Sequence, residues 1–192
     1  MLREKLSKYN IILASGSPRR QQFLKDLEIP FNIQLKEVEE IYPNYLKGTE
    51  ITDYLADLKS KPFKTLNEND LLITSDTIVW LENEALGKPK DEKDAFNMLR
   101  KLSGKQHQVM TSFSIKNPRF QIISNDTTEV IFKELTDDEI YHYIKTYKPF
   151  DKAGAYGIQE WIGFIAIERL EGSYFNVMGL PVQKLYKELM KL

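Results

Sequence analysis

The segment from Ser15 to Arg20 combines two hydroxyls, a flexible glycine and two arginines in the order Ser-Gly-Ser-Pro-Arg-Arg. The apolar run 11–13 before it predicts a buried strand, and Ser17 with Pro18 predicts that a helix begins here. Free N–H groups at a helix N-terminus attract anions, and guanidinium groups add charge-assisted hydrogen bonds to phosphate. The segment therefore indicates a phosphate-binding turn. A capped surface helix whose arginines pair with nearby carboxylates is the alternative interpretation.

A carboxylate, Asp76, interrupts the otherwise apolar stretch from Leu71 to Trp80. Burying an unpaired ionised carboxylate is costly, so Asp76 must meet a cation, a metal ion or several hydrogen-bond donors, or be neutral. As a functional residue it would be a general base or a Mg²⁺ ligand beside phosphates. As a structural residue it would cap a turn at the end of a strand.

Two loops carry further polar side chains that suit nucleotide binding. Lys88 lies between Gly87 and Pro89, just before a predicted helix, and a lysine suits a point-charge contact to a phosphate oxygen. In isolation, a solvated lysine is the simpler interpretation. The small-residue loop 151–159 ends in Gln159, whose amide can read a base edge. A third loop, 172–181, has an aromatic segment between two glycines and is explained by a turn and a core strand.

The candidate metal ligands are acidic. Glu37, Glu39 and Glu40 follow a predicted strand, whose alternation would turn Glu37 and Glu39 to one side, although such charge runs are usually solvated. His107 and His142 have no metal-ligand spacing, and the chain has no cysteine. Any metal ion would therefore be a hard cation held by carboxylates and phosphate oxygens, which indicates Mg²⁺ or Mn²⁺.

Helices and strands that must position these residues alternate along the chain. The pattern predicts helices over 18–27, 49–61, 91–104, 136–147 and 180–192, and strands over 11–13, 31–35, 71–80, 109–115, 120–132 and 164–170. The strands on either side of Asn117-Pro118 are predicted to form an antiparallel hairpin. The result is an α/β domain with a mixed sheet. No glycine-rich dinucleotide or P-loop signature is present.

The whole chain is predicted to be one globular domain over 1–192, because its 192 residues are 42% hydrophobic and 29% charged. A net charge of −1 argues against a nucleic-acid or anionic-membrane partner. No apolar segment is long enough for a membrane span, and the lack of cysteine gives no argument for secretion, so a cytoplasmic location is expected.

Five segments between Leu13 and Pro181 together resemble the Maf family of nucleoside triphosphate pyrophosphatases: LASGSPRR, SDTIV, LGKPKD, KAGAYGIQ and GSYFNVMGLP. The resemblance implies hydrolysis of a nucleoside triphosphate to the monophosphate and pyrophosphate with a divalent cation. It also implies a cytosolic homodimer. The implied fold is a mixed twisted sheet with flanking helices and two lobes around a central cleft, similar to inosine triphosphate pyrophosphatases.

The same resemblance implies roles for individual residues. Asp76 corresponds to the proton acceptor, Glu39 to a position on the metal side of the site, and the substrate-binding positions are Ser15, Arg19, Lys59, Thr77, Lys88 and Gln159. Among these, Arg19, Thr77 and Gln159 correspond to positions that shape substrate preference. The motif ending in Gln159 looks like the branch associated with dTTP and UTP. Two departures are Ser75, where the family often has alanine, and Glu160, which places a charge where glycine is frequent.

These residues predict an in-line attack of water on the α-phosphorus. Arg19, Arg20, Lys59 and Lys88, together with the metal ion, would offset the triphosphate charge while Asp76 activates the water. Two alternatives remain open at this point. The first is a housecleaning enzyme for modified nucleotides, and the second is a nucleotide-sensing regulator of cell division without significant turnover.

Overall fold

Helices and strands are interspersed along the chain, which a computed structural model describes over all residues 1–192. The helices are α1 (Leu2–Lys5), α2 (Pro18–Asp26), α3 (Thr49–Ser60), α4 (Glu92–Leu102), α5 (Asp137–Tyr147), α6 (Trp161–Ala166), α7 (Tyr174–Val177) and α8 (Val182–Leu189). The strands are β1 (Asn10–Leu13), β2 (Asn32–Ile33), β3 (Asp70–Leu81), β4 (Glu84–Leu86), β5 (Gln106–Asn117), β6 (Phe120–Phe132) and β7 (Ile167–Glu171). None of the helices is both long and apolar enough to span a membrane.

Side-chain caps fix the starts of three of the predicted helices, α2, α4 and α5. The Ser17 hydroxyl accepts a hydrogen bond from the backbone of α2, and Pro18 occupies the first helical position. At α4 the Asp91 carboxylate accepts from the Asp94 N–H at 2.8 Å. Before α5, Thr136 and Glu139 form the predicted reciprocal capping box. These caps satisfy N–H groups that the helix itself leaves unpaired, which explains why the boundaries follow the sequence closely.

The sheet is mixed, as predicted, with the strand order β2-β1-β3-β5-β6-β7 and with β4 paired to β3. Strand β1 is parallel to both β2 and β3, whereas β4 is antiparallel to β3 and β7 is antiparallel to β6. A connection of only two residues joins β5 to β6, as in the predicted hairpin. Residues 71–73 of β3 are completely buried, as expected for a parallel strand covered on both faces.

The chain divides into two compact units built from interleaved segments. Unit 1 comprises residues 1–76, 111–126 and 179–192, and unit 2 comprises residues 77–110 and 127–178. Fully buried side chains of unit 1 include Leu13, Leu24, Leu71, Leu72, Ile73 and Phe113, and those of unit 2 include Leu99, Leu102, Val130, Ile140 and Tyr143. Strands β3, β5 and β6 contribute residues to both units. The expectation of one domain over 1–192 stays a prediction.

Three local predictions are wrong. The predicted strand 164–170 begins only at Ile167, because residues 161–166 form α6, where Phe164 is 80% exposed. The predicted strand 31–35 is reduced to Asn32–Ile33, and its alternation fails because Ile33 and Leu35 are both exposed. The segment 174–177, interpreted as part of a core strand, is helix α7 capped by the Ser173 hydroxyl. In each case the surroundings of the segment in the folded chain override its local apolar pattern.

Candidate active site

The Asp76 carboxylate of unit 1 meets a cation, which is one of the alternatives predicted from its position in an apolar strand. Lys59 Nζ lies 2.6 Å from Asp76 Oδ1 and 3.0 Å from Glu40 Oε1. Asp76 is only 5% exposed, and Lys59 extends from the last turn of α3. Two carboxylates therefore converge on one ammonium group. Charge compensation explains how an ionisable side chain is accommodated in β3.

Burial and charge act on Asp76 in opposite directions. Removal from water raises the pKa of Asp76 above its ordinary value, while the charge and hydrogen bond of Lys59 and the charge of Arg20 oppose that increase. A carboxylate whose pKa moves toward neutrality is a better proton acceptor at physiological pH. The arrangement is therefore compatible with a general base.

Helix α3 carries Lys59 and is fixed on neighbouring strands of unit 1 by buried polar contacts. The Thr74 hydroxyl of β3 donates to the Ala56 carbonyl at 2.5 Å. On β5, the Ser112 hydroxyl donates to Asp53 at 2.6 Å and lies 2.6 Å from the Thr52 hydroxyl. These directional contacts set the position of α3 along the strands more narrowly than apolar packing alone would do.

The predicted phosphate-binding turn is held by Arg20. Its Nε donates to the Gly179 carbonyl at 2.7 Å, and one terminal nitrogen donates to the Ser75 carbonyl at 2.9 Å and contacts the Ser15 hydroxyl at 3.4 Å. Burial lowers the pKa of Arg20 to about 10, so the guanidinium stays charged near neutral pH. The buried Ser15 hydroxyl also accepts from the Ser17 N–H at 3.3 Å. Arg20 thus links the turn to the residue before Asp76, while the neighbouring Arg19 is half-buried.

The acidic residues fit a metal ion only in part. Glu39 is exposed on a segment without helix or strand, and its neighbour Glu40 is the glutamate that contacts Lys59. The chain has no group of three or more acidic or histidine side chains that could hold a metal ion. The oxygen donors of Asp76 and Glu40 nevertheless have the chemistry that Mg²⁺ prefers, with phosphate oxygens completing the shell. The role of Glu39 stays a prediction.

The remaining predicted residues belong to unit 2. Thr77 follows Asp76 directly and is half-buried, whereas Lys88 is exposed in the loop between β4 and α4. Gln159 lies in a tight turn in which the Glu160 N–H donates to the Gly157 carbonyl at 3.0 Å. The Gln159 Oε1 atom is buried and has no hydrogen-bond partner. An acceptor in that state suits a ligand that brings a donor.

Sequence reasoning missed three residues around these groups. Glu40 was grouped with a solvated charge run, and Tyr143 has the signature of an ordinary core residue. Lys152 is 7% exposed and contacts Glu160 Oε1 at 3.1 Å, so the charge at position 160 is compensated within the protein. A lysine inside the otherwise small-residue KAGAY segment was the available signal for Lys152. For Tyr143 no signal exists, because its partners are remote in sequence.

Comparison with known proteins places this chain among relatives of similar length. Residues 10–192 match the family described as Maf-like protein. The chain is 58% identical to a dTTP/UTP pyrophosphatase of Flavobacterium johnsoniae over 100% of both chains. It is 57% identical to that of Flavobacterium psychrophilum, over 99% of this chain and 98% of the other. A relative of the same description from Bacteroides fragilis is 48% identical over 97% and 98%.

A solved structure supports the fold. A HAM1 protein from Coxiella burnetii superposes with a TM-score of 0.54 and 16% sequence identity, over 96% of this chain and 100% of the other. At that identity the likeness concerns the arrangement of helices and strands alone. It agrees with the α/β fold and mixed sheet described above.

Proposed function

The chain belongs to the Maf family, and from that premise we propose that it hydrolyses dTTP and UTP to the monophosphate and pyrophosphate. The observation that carries the proposal is the buried Asp76 carboxylate held by Lys59 at 2.6 Å. The relatives described as dTTP/UTP pyrophosphatases support the substrate. A buried carboxylate beside cations suits a reaction in which water attacks a highly charged phosphate chain.

Binding of the triphosphate is assigned to cations and hydroxyls. Arg19, Lys59 and Lys88 offset the negative charge, and Ser15 with the N–H groups at the start of α2 contributes hydrogen-bond donors. Charge that develops on the transferred phosphorus in the transition state is stabilised by the same groups. Arg20 has a different task, because its guanidinium donates to the carbonyls of Gly179 and Ser75 and so keeps the turn in place.

Proton transfer is assigned to Asp76. Its carboxylate accepts a proton from the attacking water, and Lys59 keeps the carboxylate ionised until that step. A divalent cation, Mg²⁺ or Mn²⁺, would be held by Asp76 with Glu40 or Glu39 and would neutralise phosphate charge. Homodimeric assembly, a cytoplasmic location and the lack of a nucleic-acid or membrane partner are proposed from the sequence alone.

Base preference is assigned to Gln159. Its unpartnered Oε1 accepts the N3–H group of thymine or uracil, and its amide N–H₂ donates to O4 of the same base. Cytosine has an acceptor at N3 and a donor at C4, so it would face the amide with the wrong groups. A site built to meet a substrate N–H rejects an analogue that lacks it, because its own buried acceptor then stays unpaired.

The proposal is tested by pyrophosphate release from a panel of ribonucleoside and deoxyribonucleoside triphosphates, with Mg²⁺ and with Mn²⁺. We expect wild-type protein to prefer dTTP and UTP, and Asp76→Asn to lower kcat by about 10²–10⁴-fold, because a positioned base contributes that much. Near-complete activity of Asp76→Asn on dTTP contradicts the assignment. Preference for modified nucleotides indicates a housecleaning enzyme, and tight binding without turnover indicates a sensor.

Asp70→Asn is the matched control. Asp70 is a second buried aspartate of β3, and its carboxylate accepts from the Asn10 amide at 2.9 Å and from the Asn67 N–H at 2.8 Å. The same chemical change in the same strand is expected to lower stability and to leave kcat within about threefold, because Asp70 has no part in proton transfer. A large loss of kcat in both variants would show that the effect of Asp76→Asn is structural.

A further inference from the structure

The turn that carries Gln159 is packed around a glycine. A β-carbon at Gly157 would lie 2.9 Å from Glu160 Cδ, 3.0 Å from Gln159 Nε2 and 3.0 Å from Lys152 Cε. Three polar side chains therefore fold over one α-carbon, and a β-carbon there would require them to shift. The position of the Gln159 amide consequently depends on what holds Glu160 and Lys152.

Tyr143 joins both ends of this turn. Its hydroxyl accepts a hydrogen bond from the Gly157 N–H at 3.0 Å and donates to Glu160 Oε2. The Tyr143 side chain is completely buried in α5. Burial first, and then the hydrogen bond to Glu160, raise the pKa of Tyr143, so the hydroxyl remains a donor at all physiological pH values. One rigid side chain thus fixes the first and last residues of the turn.

Lys152 holds the other carboxylate oxygen of Glu160, at 3.1 Å, and also contacts Asp151 at 2.6 Å. Both Glu160 oxygens contact protein donors, so the charge of Glu160 is compensated within the protein. Apolar residues can often replace a buried ion pair without loss of stability. Stabilisation of the fold is therefore a weak explanation for the ion pair between Lys152 and Glu160. Control of the turn geometry explains this ion pair better, because charged and directional contacts permit few alternative arrangements of the turn.

Gln159 itself has no hydrogen bond to the protein at Oε1. Its orientation must therefore come from the backbone of the turn and from the packing over Gly157. We propose that Tyr143, Glu160 and Lys152 are positioning residues that hold Gln159 in the conformation that distinguishes thymine and uracil from cytosine. This inference rests on the proposed function, since it concerns the residue assigned to base recognition there.

Three variants test the network: Tyr143→Phe, Glu160→Ala and Glu160→Gln. The measured quantity is the ratio of kcat/KM for dTTP to that for dCTP. We expect Tyr143→Phe and Glu160→Ala to lower this ratio by about tenfold or more, mainly through a higher KM for dTTP. The reason is that a misplaced Gln159 amide weakens selective binding of the base and does not act on the hydrolytic step. Glu160→Gln keeps an acceptor for Tyr143 and is expected to recover part of the ratio.

Tyr147→Phe is the matched control for Tyr143→Phe. Tyr147 lies on the same helix, its ring stacks on Tyr143 at 5.2 Å between centroids, and it is exposed. The Tyr147→Phe variant should leave the ratio of kcat/KM for dTTP to that for dCTP unchanged. Thermal unfolding of each variant is measured in parallel. If Tyr143→Phe fails to fold, a lower ratio for Glu160→Ala than for Glu160→Gln supports the network, and equal ratios overturn it.

The outcomes separate this inference from the proposed function. Equal loss of kcat/KM for dTTP and dCTP in the network variants overturns the positioning role, because only folding or chemistry would then be affected. If wild-type protein releases no pyrophosphate, the proposed function fails, and binding of α,β-imido analogues of dTTP and dCTP supplies the same ratio from Kd values. A wild-type protein with no base preference in either assay also overturns the inference.

Discussion

Two adjacent arginines, Arg19 and Arg20, have the same chemistry and different surroundings. Arg20 donates to two backbone carbonyls, those of Gly179 and Ser75, at 2.7 and 2.9 Å. Those contacts use the planar fork of donors that arginine has and lysine lacks. The residue is therefore assigned to maintaining the turn, and Arg19 to the triphosphate.

We predict different effects for conservative changes at the two positions. Arg20→Lys should lower the free energy of unfolding by about 1–3 kcal/mol, because at least one partly buried carbonyl loses its donor. Arg19→Lys should change it by less than about 0.5 kcal/mol and raise the KM for dTTP. Urea denaturation and steady-state kinetics measure both quantities. Equal stability of the two variants would contradict the structural role of Arg20.

For individual residues, the sequence predicted the kind of interaction that a side chain requires better than it predicted which residue provides that interaction. An aspartate at position 76 required a cation, a metal ion, several hydrogen-bond donors or neutralisation, and the structure supplies a cation, Lys59, at 2.6 Å. Lys59 itself was found only through the family resemblance, because its spacing on α3 is that of an ordinary amphipathic helix. The choice between Glu39 and Glu40 depends on the path of a segment without regular structure. No periodicity could predict that path.

Helix α6 follows the Gln159 turn so closely that one of its residues has no room for a side chain. A β-carbon at Gly163 would lie 1.8 Å from the Ile158 carbonyl oxygen. The Gly163 N–H also donates to the Glu160 carbonyl at 2.8 Å. The contact between helix and turn is therefore made by backbone against backbone, which explains why an apolar run that reads as a strand forms a helix instead.

Gly163→Ala is predicted to be strongly destabilising. The new methyl group overlaps backbone atoms that cannot move independently, so we expect a loss of at least about 3 kcal/mol or a failure to fold. Gly87→Ala is the control, because a β-carbon there meets no atom within 4 Å. The Gly87→Ala variant should lower the free energy of unfolding by less than about 0.5 kcal/mol. Urea midpoints compare the two, and a Gly163→Ala protein as stable as wild type would disprove the close approach.

Other elements were predicted well where caps and periodicity agree. The starts of α2, α4 and α5 follow their capping residues, and α4 ends near the predicted glycine. Short elements were missed, among them β4 and α1, because three or four residues carry no measurable period. The hairpin was predicted, and β6 has its predicted bounds, whereas β5 extends beyond the predicted 109–115 at both ends.

Stability of the molecule as a whole should depend on pH through His107. This residue is 2% exposed, and its Nε2 lies 2.8 Å from the Tyr156 hydroxyl. Burial lowers the pKa of His107 to about 4, below its ordinary value of 6.5. The unfolded chain therefore binds a proton at a higher pH than the folded chain does.

We predict a loss of stability on acidification. The contribution of neutral, buried His107 to the free energy of unfolding is fully present above pH 6.5. It is lost as the pH falls toward 4, which lowers the free energy of unfolding by up to about 3 kcal/mol. His107→Gln removes the ionisation, so its stability should decline less than that of wild type over this range. Urea denaturation at several pH values measures the difference. His142→Gln, at an exposed position, should decline like wild type, and the assignment fails if both variants do.

At the scale of the molecule, composition argues for or against broad classes of function and cannot locate a site. A net charge of −1 argues against a strongly basic surface, yet it conceals Lys59 held between Asp76 and Glu40. Charges that cancel in a sum are invisible to composition. Only the motifs in their order along the chain pointed to a nucleotide site.

The interleaved segments of the two units also have a consequence for biosynthesis. Unit 1 needs residues 1–76 and residues 179–192, and the α8 side chains Leu185 and Leu189 are completely buried. During translation, residues 1–76 are synthesised before all of unit 2, and residues 179–192 are synthesised after it. Residues 1–76 therefore cannot complete the packing of unit 1 until α8 has left the exit tunnel, and the incomplete unit is exposed to proteases and chaperones during that interval.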